Sequence, residues 1–554
     1  MTERRAYRFD LAPVFASVAK LVIRLDLSDA VLVVATIVAG WTFRFTQDDA
    51  FISMRFAKNL AEGNGLVYNA GERVEGYTNF LWTLFLAIPH ALHADPVHWS
   101  NVASIVAGVG TVLITARLAR TLSGNASVAL LTGLCLLAFH TFAIYLTGGL
   151  ETQWQTFFVI CAIWLMSPWL SGHEVTHTAV IAASLAAGLA CLTRLDSVVL
   201  IAGAFGSALW ARRRSGSLRA RDAIELAVPA AALLTPWFVW KWTFYGSPVP
   251  QTLHAKDTPL LWALIRAGMF LGLFGLLTFF AFIAWGAFKG RAAVTSSPLG
   301  QWFITIGGLW LGYLFIVGAD FMEFRFVVPV LPLIMIAVIV ATATLPHKRQ
   351  MLVVGLIVFG SAAKWYLFYP AAVGIESARL LNEHVEQPNG YREVGDELRV
   401  AFEDLPASQR PSIAITPAGA IAYYSELYSI DMLGLTDPGA NDHRWELTKL
   451  KAGHEHIATM DHLATRADLI IGGVVIENCG STTSETALSR LRSMFLAYHV
   501  EWTDIPAGSM LYPMPLRSPK CLLLLAPDGP SGAYSQVPDS WKHLPVSSLQ
   551  SYDR

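Results

Sequence analysis

Charged residues are scarce in this chain, and their scarcity excludes an ordinary soluble globule. Only 15% of the 554 residues are Asp, Glu, Lys or Arg, whereas soluble domains carry about a quarter. Hydrophobic residues make up 54% and occur in long runs. The formal net charge is −1 and no long basic run is present, so nothing indicates a nucleic-acid partner. The composition predicts a polytopic membrane protein.

Cysteine is also rare, which limits the metal and disulfide chemistry that the chain can have. Its five cysteines include no Cys-x-x-Cys or Cys/His pattern, so a structural zinc site is not expected. Cys135, Cys161 and Cys191 fall inside apolar runs and are interpreted as packing residues. Cys479 and Cys521 lie in a more polar C-terminal region, where an oxidising compartment would allow a disulfide between them.

Apolar stretches long enough to cross a bilayer recur over the first 369 residues, and they predict eleven transmembrane helices. They lie at 27–45, 97–119, 124–147, 153–170, 177–193, 196–211, 223–243, 262–288, 299–318, 326–345 and 350–369. A further run at 77–93 is seventeen residues long and is broken by Pro89. If this run does not cross, the Lys and Arg clusters between spans share the side of the basic N-terminus, as the positive-inside rule expects. It is therefore predicted to be interfacial or re-entrant.

This topology places the first loop, 46–96, and residues 370–554 on the periplasmic face. Residues 370–554 alternate β-like runs with helical segments, which predicts an α/β domain after a transmembrane domain over 1–369. The β-like runs are 412–416, 428–433, 469–471 and 521–525, and the helical segments include 376–386, 391–404 and 484–498. The tail, 527–554, is rich in Pro, Ser and Gly and is expected to be poorly ordered.

The segment 46–80, TQDDAFISMRFAKNLAEGNGLVYNAGERVEGYTNF, is polar between apolar neighbours. Asp48 and Asp49 follow the first predicted span, where the membrane meets water. Adjacent carboxylates repel each other and raise at least one pKa unless a cation or a substrate compensates. Such a pair suits a catalytic base or a metal ligand; the alternative is that it only marks the end of a membrane helix.

Ionisable residues also occupy the short external turns. They are Glu151, Arg194, Asp196, Asp320, Glu323 and Arg325. Charges near the membrane boundary must pair, snorkel or line a wet cavity, so together they predict a charged ring around an external cavity. His254 and Lys256 lie in a Pro-interrupted loop, where a cation could hold a lipid phosphate or could simply be solvated. In the C-terminal region, candidates for binding a sugar, or for structural roles, are Tyr423, Tyr424, Asp431, Asp437 and His454.

The segment 47–82, QDDAFISMRFAKNLAEGNGLVYNAGERVEGYTNFLW, resembles the first external loop of the C-type (GT-C) glycosyltransferases, polytopic enzymes that use polyprenyl-phosphate sugars. The GGLET turn, TRLD, the external DF…RF pattern and IDMLGLTDP followed by GHE resemble the same superfamily. Within it, the likeness is greatest to the mycobacterial terminal β-(1→2)-arabinofuranosyltransferases. The resemblance covers most of the chain and is weakest in the first 25 residues and after about residue 500.

This resemblance implies that Asp48 and Asp49 are catalytic carboxylates, one of them a base or a metal ligand, with a divalent cation (Mg, Mn or Ca) as a possible cofactor. Expected contacts to the donor phosphate and sugar come from Lys256, His254, Arg194, Arg325, Arg55 and Glu151. Expected contacts to the acceptor come from Glu75, Tyr77, Asn79, Asp320, Asp437 and His454.

The expected activity is transfer of arabinofuranose from decaprenyl-phosphate-arabinose to an arabinan or lipoglycan acceptor, such as arabinogalactan or lipoarabinomannan, at the cell membrane. One alternative is transfer of another polyprenyl-phosphate sugar in O-antigen, lipid or protein glycosylation. Different classes remain open: a transporter of lipid-linked sugars or a glycan-binding assembly protein. The charges gather on one face and no polar run passes through the middle of the spans, which disfavours transport.

A reporter that is active only outside the cytoplasm tests the topology. Fused after residue 400, it is expected to be active because the C-terminal region is placed outside. The same reporter fused after residue 216, in an Arg-rich loop, should be inactive. A silent reporter at 400, with the full-length fusion visible on an immunoblot, would overturn this topology.

Overall fold

The computed structural model has a helical region followed by a C-terminal α/β unit. It describes residues 26–170, 173–256, 258–367, 371–372, 374–442, 455–472, 476–478, 505–506, 508–517, 519–527, 537–538, 541 and 544–545. The predicted helix 484–498, His454, Cys479 and most of the tail lie outside the described residues.

The helical region begins at Leu27 and ends at Leu367. Its α-helices are α1 (Leu27–Thr42), α2 (Asp48–Ala61), α3 (Phe80–Ala91), α4 (Pro96–Ser123), α5 (Ala126–Ala138), α6 (His140–Ile144), α7 (Thr152–Leu170), α8 (His177–Thr193), α9 (Ser197–Arg214), α10 (Ala220–Tyr245), α11 (Gln251–Ala255), α12 (Leu260–Leu277), α13 (Phe280–Phe288), α14 (Ala292–Thr295), α15 (Pro298–Val317), α16 (Leu331–Ala343) and α17 (His347–Leu367). A 3₁₀ helix, Arg325–Val330, leads directly into α16.

Helix ends follow local sequence signals. At the start of α4, the Asp95 carboxylate accepts a hydrogen bond from the Val97 N–H at 2.9 Å, and Pro96 occupies the first helical position. Proline fits there because that N–H would have no partner inside the helix. The helix ends at Gly124, whose φ of 70° is a left-handed conformation that glycine adopts at little cost.

Five helical segments in the described residues are long and apolar enough to cross a membrane. They are Pro96–Ser123, Ala220–Tyr245, Leu260–Leu277, Pro298–Val317 and Arg325–Ala343, and shorter apolar helices are Leu27–Thr42, Phe80–Ala91, Ala126–Ala138 and His177–Thr193. Large apolar side chains on several of these helices are exposed, among them Leu261, Leu276 and Ile316. Such exposed apolar surface is expected where a protein meets lipid.

Two of the predicted spans are divided, which corrects the sequence interpretation. The run 262–288 forms α12 and α13, separated at Phe279, whose φ is 54°. The run 124–147 likewise separates into α5 and α6 at Phe139, which has extended dihedrals. At the first break, Gly360 of α17 lies so close that a Cβ there would be 2.6 Å from the Thr278 carbonyl oxygen. Hydrophobicity alone does not reveal such a break, because both sides of it are equally apolar.

The C-terminal unit is built on a mixed sheet. Its elements are β1 (Ala371–Ala372), β2 (Ile375–Glu376), α18 (Ala378–Glu386), α19 (Tyr391–Phe402), β3 (Ile413–Ile415), α20 (Ala420–Ser425), β4 (Ser429–Asp431), α21 (Met460–Arg466), β5 (Leu469–Gly472), β6 (Ile476–Asn478), β7 (Met510–Pro515), β8 (Lys520–Ala526) and β9 (Leu544–Pro545). The strand order is β4-β3-β5-β8-β7-β9, with β6 also on β8. Strand β3 is parallel to β4 and β5, whereas β8 is antiparallel to β5, β6 and β7.

Both faces of this sheet are buried. On one face, Ile413 and Ile415 pack in a cluster that includes Leu398 of α19 and Ile52 of α2. On the other face, Ala414 packs with a cluster that includes residues of α21. The buried strands explain why the predicted β-like runs are almost continuously apolar. Because α2 contributes to the first cluster, the helical region and the sheet share a hydrophobic core.

Candidate active site

The two adjacent acids lie in the first turn of α2, where the helix meets the C-terminal unit. The Asp48 carboxylate accepts hydrogen bonds from the backbone N–H groups of Gly419 (3.0 Å) and Ala420 (2.7 Å), at the start of α20. The approach is so close that a Cβ at Gly419 would overlap the Asp48 carbonyl group. Asp49 follows in the same turn and is half-buried. The structure thus places both acids at a junction between two parts of the fold.

Burial raises the pKa of Asp48 to about 7, against the opposing effect of the hydrogen bond from Ala420. The negative charge of neighbouring Asp49 raises it further. Asp431, at the end of β4, is also buried, and burial raises its pKa to about 6. Its carboxylate accepts hydrogen bonds from the Leu433 and Thr436 N–H groups, both at 2.9 Å. Asp431 therefore shapes the turn of the IDMLGLTDP segment.

Arg55 holds the other end of α20, and this departs from its expected role in binding donor phosphate. Its guanidinium donates to the carbonyl oxygens of Tyr68 (2.8 Å), Leu427 (2.7 Å) and Ala422, and to Asn69 Oδ1 (2.9 Å). The side chain is buried. Because most of its donors point at protein acceptors, Arg55 joins α2 and the first loop to the C-terminal unit.

A second set of hydrogen bonds and ion pairs connects the first loop to the membrane helices. Asn79 Nδ2 donates to Glu151 at 2.7 Å, and Arg194 donates to the other Glu151 oxygen at 2.9 Å. Arg194 also pairs with Asp196 at 2.7 Å. The Asn79 amide oxygen accepts from Ser53 of α2 at 3.1 Å. The structure thus brings the predicted residues Asn79, Glu151 and Arg194 together, in contact with α2, the helix that carries the acids.

The loop 319–325 holds two more buried ion pairs. Arg325 pairs with Asp320 at 2.7 Å. Glu323 pairs with Lys364 of α17 at 2.6 Å, and its other oxygen accepts from the Ala378 N–H at the start of α18. Burying a single charge near a membrane boundary costs free energy. Each charged side chain of this loop is therefore paired with a side chain of opposite charge. The loop thereby ties the membrane helices to the beginning of the C-terminal unit.

The predicted acceptor residues Glu75 and Tyr77 are buried residues of the first loop. Glu75 pairs with Lys241 of α10 at 2.8 Å, and burial raises the Glu75 pKa to about 7 against the effect of that lysine. The Tyr77 hydroxyl accepts from the Tyr245 hydroxyl at 3.2 Å. The Glu75 carbonyl accepts from the Gln251 N–H at 3.0 Å. The first loop therefore lies against the 245–251 segment.

The remaining predicted residues are spread over the surface and the C-terminal unit. His254 and Lys256, in and after α11, are exposed. Asp437 is buried and pairs with Arg466 (2.7 Å) and His462 (3.1 Å) on α21. A disulfide between Cys479 and Cys521 was predicted. Cys521 is a buried, disulfide-bonded residue of β8, and Cys479 lies outside the described residues.

An apolar cavity of about 580 Å³ lies between α3, α4 and α7. Among the described residues, its lining includes Phe85, His98, Trp99, Trp154 and Phe157, and no Lys or Arg. A phosphate group prefers Arg or Lys partners. The cavity therefore suits hydrocarbon and offers no cation for a phosphate.

A preformed metal centre is not apparent in the described part of the chain. No group of three or more His, Cys, Asp or Glu side chains there is placed to hold a metal ion. Both Asp48 oxygens already accept backbone hydrogen bonds. The described residues therefore show no preformed site for a divalent cation.

Three buried cations were missed by the sequence interpretation: Lys241, Arg266 and Lys364. Each is an isolated charge in an otherwise apolar run. An ionisable residue in such a run marks a functional or paired group by default, so the signal was present.

The fold is shared with two solved structures. The structure of ArnT from Cupriavidus metallidurans bound to undecaprenyl phosphate matches with a TM-score of 0.55 at 13% identity, over 90% of this chain and 97% of that chain. An Archaeoglobus fulgidus oligosaccharyltransferase in complex with Zn and sulfate matches with a TM-score of 0.50 at 13% identity, over 94% of this chain and 76% of that one. At these identities the likeness shows the fold alone.

The sequence resembles terminal β-(1→2)-arabinofuranosyltransferases in particular. It is 28% identical to that of Mycobacterium tuberculosis over 234 residues, 39% of this chain and 36% of the relative. It is 26% identical to that of Corynebacterium glutamicum over 369 residues, 59% of this chain and 52% of the relative. The matches thus span about half or less of each relative. Residues 379–509 match a family model described as a domain of unknown function, DUF8728.

The raised carboxyl pKa values predict a pH dependence of stability. Because burial raises the pKa of Asp48 to about 7, the folded chain binds that proton more tightly than the unfolded chain. The free energy of unfolding therefore falls as pH rises from the ordinary carboxyl range through about 7. In thermal unfolding of the protein in nanodiscs, we expect a higher Tm at pH 5.5 than at pH 8. The difference in Tm between the two pH values should be smaller in Asp48→Asn. Exposed Asp461→Asn should keep the wild-type difference; an unchanged difference in Asp48→Asn would contradict the assignment.

Proposed function

We propose that this protein is a membrane glycosyltransferase that transfers arabinofuranose from decaprenyl-phosphate-arabinose to an arabinan or lipoglycan acceptor. The observation that carries the proposal is the placement of Asp48 and Asp49 at the first turn of α2, against the C-terminal unit of a GT-C fold. The choice of arabinofuranose is supported by the two arabinofuranosyltransferase relatives. The choice of a lipid-phosphate donor is supported by the fold shared with a protein bound to undecaprenyl phosphate.

The reaction is placed on the periplasmic face. Nucleotide sugars are not available there, whereas a sugar on a lipid phosphate is delivered through the membrane. This placement is supported by the charged loop 319–325 and the first loop, both of which contact the C-terminal unit. The acceptor, a growing polysaccharide or lipoglycan, is on the same side of the membrane.

Asp49 is assigned as the carboxylate that reacts, and Asp48 as a positioning residue. Both Asp48 oxygens accept backbone hydrogen bonds from the C-terminal unit, so its carboxylate fixes the start of α2. Asp49 is the next residue in the same turn, and fixing Asp48 fixes its direction. In the transfer step, an acceptor hydroxyl attacks the anomeric carbon, and the proton of that hydroxyl passes to Asp49. The bond from the anomeric carbon to the phosphate oxygen breaks, and decaprenyl phosphate leaves with the electron pair.

The stereochemistry decides whether base catalysis is sufficient. A β-linked donor and a β-linked product mean net retention, which one direct displacement does not give. Retention requires either a glycosyl-carboxylate intermediate on an Asp, resolved by a second displacement, or attack from the face of the departing phosphate. An α-linked product requires only one displacement with Asp49 as the base. Analysis of the product linkage by NMR distinguishes these routes.

Developing charge on the departing phosphate requires a nearby cation. Lys256 is exposed on the 245–258 segment, next to the first loop. Arg194 and Arg325 are buried in pairs with Glu151, Asp196 and Asp320, so they are assigned to the framework of the site. Acceptor contacts are proposed for the first loop and the 430–438 segment, which meet at Gly76 and Thr436.

Substitution of the two acids separates their roles. Asp49→Asn is expected to reduce transfer by about 10²–10⁴-fold, the range for loss of a general base, with unchanged Tm. Asp48→Asn should reduce both transfer and Tm, because the two backbone N–H groups donate to different carboxylate oxygens and the amide NH2 that replaces one of them cannot accept. The assay uses purified full-length enzyme, radiolabelled decaprenyl-phosphoarabinose and a synthetic arabinan.

Asp461→Asn is the matched control, since Asp461 is exposed on α21. Wild-type turnover in Asp49→Asn would end its assignment as the base. Activity with another decaprenyl-phosphate sugar, and none with the arabinose donor, would retain the reaction class and reject arabinofuranose.

A further inference from the structure

Arg266 is a buried cation on α12 whose principal partner comes from the C-terminal unit. Its Nη1 donates to Glu455 Oε1 at 2.7 Å, and its Nη2 donates to the Thr258 hydroxyl. The Arg266 side chain is only 7% exposed and that of Glu455 is 11% exposed. The pair therefore joins the outer part of a lipid-facing helix to the segment that follows residue 454.

The pair leaves polar atoms unsatisfied on both partners. Arg266 Nε and Glu455 Oε2 are buried and have no hydrogen-bond partner among the described residues. A guanidinium offers a fork of donors that matches two oxygens of a carboxylate or phosphate, yet Glu455 engages it with one. Buried groups of this kind are normally satisfied, so the geometry of the pair is one in which another anion can compete.

The surroundings of Arg266 suit the head of an anionic lipid. Lys256 and His254, just before α12 in the chain, are exposed. Leu260, Leu261 and Leu264 of α12 are exposed apolar side chains. Gly318 follows α15, and a Cβ placed on it would lie 3.4 Å from Arg266 Nε, so Arg266 adjoins the loop that carries Asp320. Cations and a hydrocarbon surface thus meet at this position.

We propose that the Arg266–Glu455 pair is exchangeable, and that the phosphate of a polyprenyl-phosphate lipid replaces Glu455 on the Arg266 guanidinium. This inference rests on the proposed function. Phosphate oxygens satisfy the fork more completely than the single contact to Glu455, and the displaced carboxylate returns to water. Donor binding thereby loosens the contact between α12 and the 455–456 segment. Occupancy of the lipid site then changes how the C-terminal unit is held on the helical region.

The exchange makes Glu455 a competitor of the lipid, which has an unusual consequence. Removing the carboxylate should tighten phosphate binding, whereas removing the guanidinium should weaken it. A purely structural ion pair predicts that both substitutions weaken binding, or that neither changes it. The sign of the Glu455 effect therefore separates the two accounts.

The test measures binding of decaprenyl phosphate to full-length protein in nanodiscs, with decaprenol and inorganic phosphate as separate probes. Glu455→Gln is expected to lower the Kd for decaprenyl phosphate about tenfold, and Arg266→Gln to raise it about tenfold or more. Arg266→Lys, which keeps the charge but loses the fork, should give an intermediate Kd and serves if Arg266→Gln fails to fold. Glu403→Gln, which removes an exposed ion pair with Arg399 on α19, is the matched control and should leave the Kd unchanged.

Decaprenol binding should be the same in all variants, because it has no phosphate. A Glu455→Gln Kd equal to or higher than wild type overturns the exchange. Inorganic phosphate that binds with the same order of variants, while decaprenyl phosphate does not, overturns the lipid as ligand. The proposed sugar is tested separately: Glu455-dependent lipid binding without arabinose transfer would reject the arabinosyl donor and keep the exchange.

Discussion

The contact between the Asp48 carboxylate and the Gly419 and Ala420 amides is the constraint on which the rest of the site depends. It joins the start of α2, which follows the first membrane helix, to a short helix of the C-terminal sheet. Arg55, seven residues further along α2, holds the carbonyl oxygens at the other end of the same short helix. Loss of any one of these partners would leave a buried polar group without a hydrogen bond, which costs about 1–3 kcal/mol of stability. The adjacent acids therefore have a defined position only when the two parts of the fold are assembled.

The charges of the loops between the helices form a framework around this junction. Glu151, Glu323 and Glu75 each pair with a cation of a membrane helix or of the turn before one. Buried ion pairs add little net stability, but breaking one is costly, by about 3–5 kcal/mol, because it strands a charge. Such pairs fix how the loops sit on the helices rather than how stable the chain is. The exchangeable pair at Arg266 differs, because it lies beside the exposed apolar side chains of α12 and contacts Thr258, two residues after the exposed Lys256.

Sequence patterns predicted the elements well where one local signal is sufficient. The strands at 413–415, 429–431, 469–472 and 520–526 lie within or around the predicted runs, since buried strands are continuously apolar. The break at Phe279 was not predictable from hydropathy, because it depends on the close approach of α17. The sequence indicated that Asp48 and Asp49 are unusual, but the partner amides lie about 370 residues away and no local pattern reports them. The role of Arg55 in joining the two parts was not predicted for the same reason: most of its partners are backbone carbonyls, which any sequence supplies.

Hydrogen–deuterium exchange of the full-length protein tests the central contact most directly. The peptide containing Gly419 and Ala420 should exchange slowly in the wild type, because its amides donate to Asp48, and faster in Asp48→Ala. A peptide from β8 should be equally protected in both proteins, since that strand is buried in the sheet. Unchanged exchange at 419–420 in Asp48→Ala would contradict the account, because the C-terminal unit would then be held on α2 by other contacts.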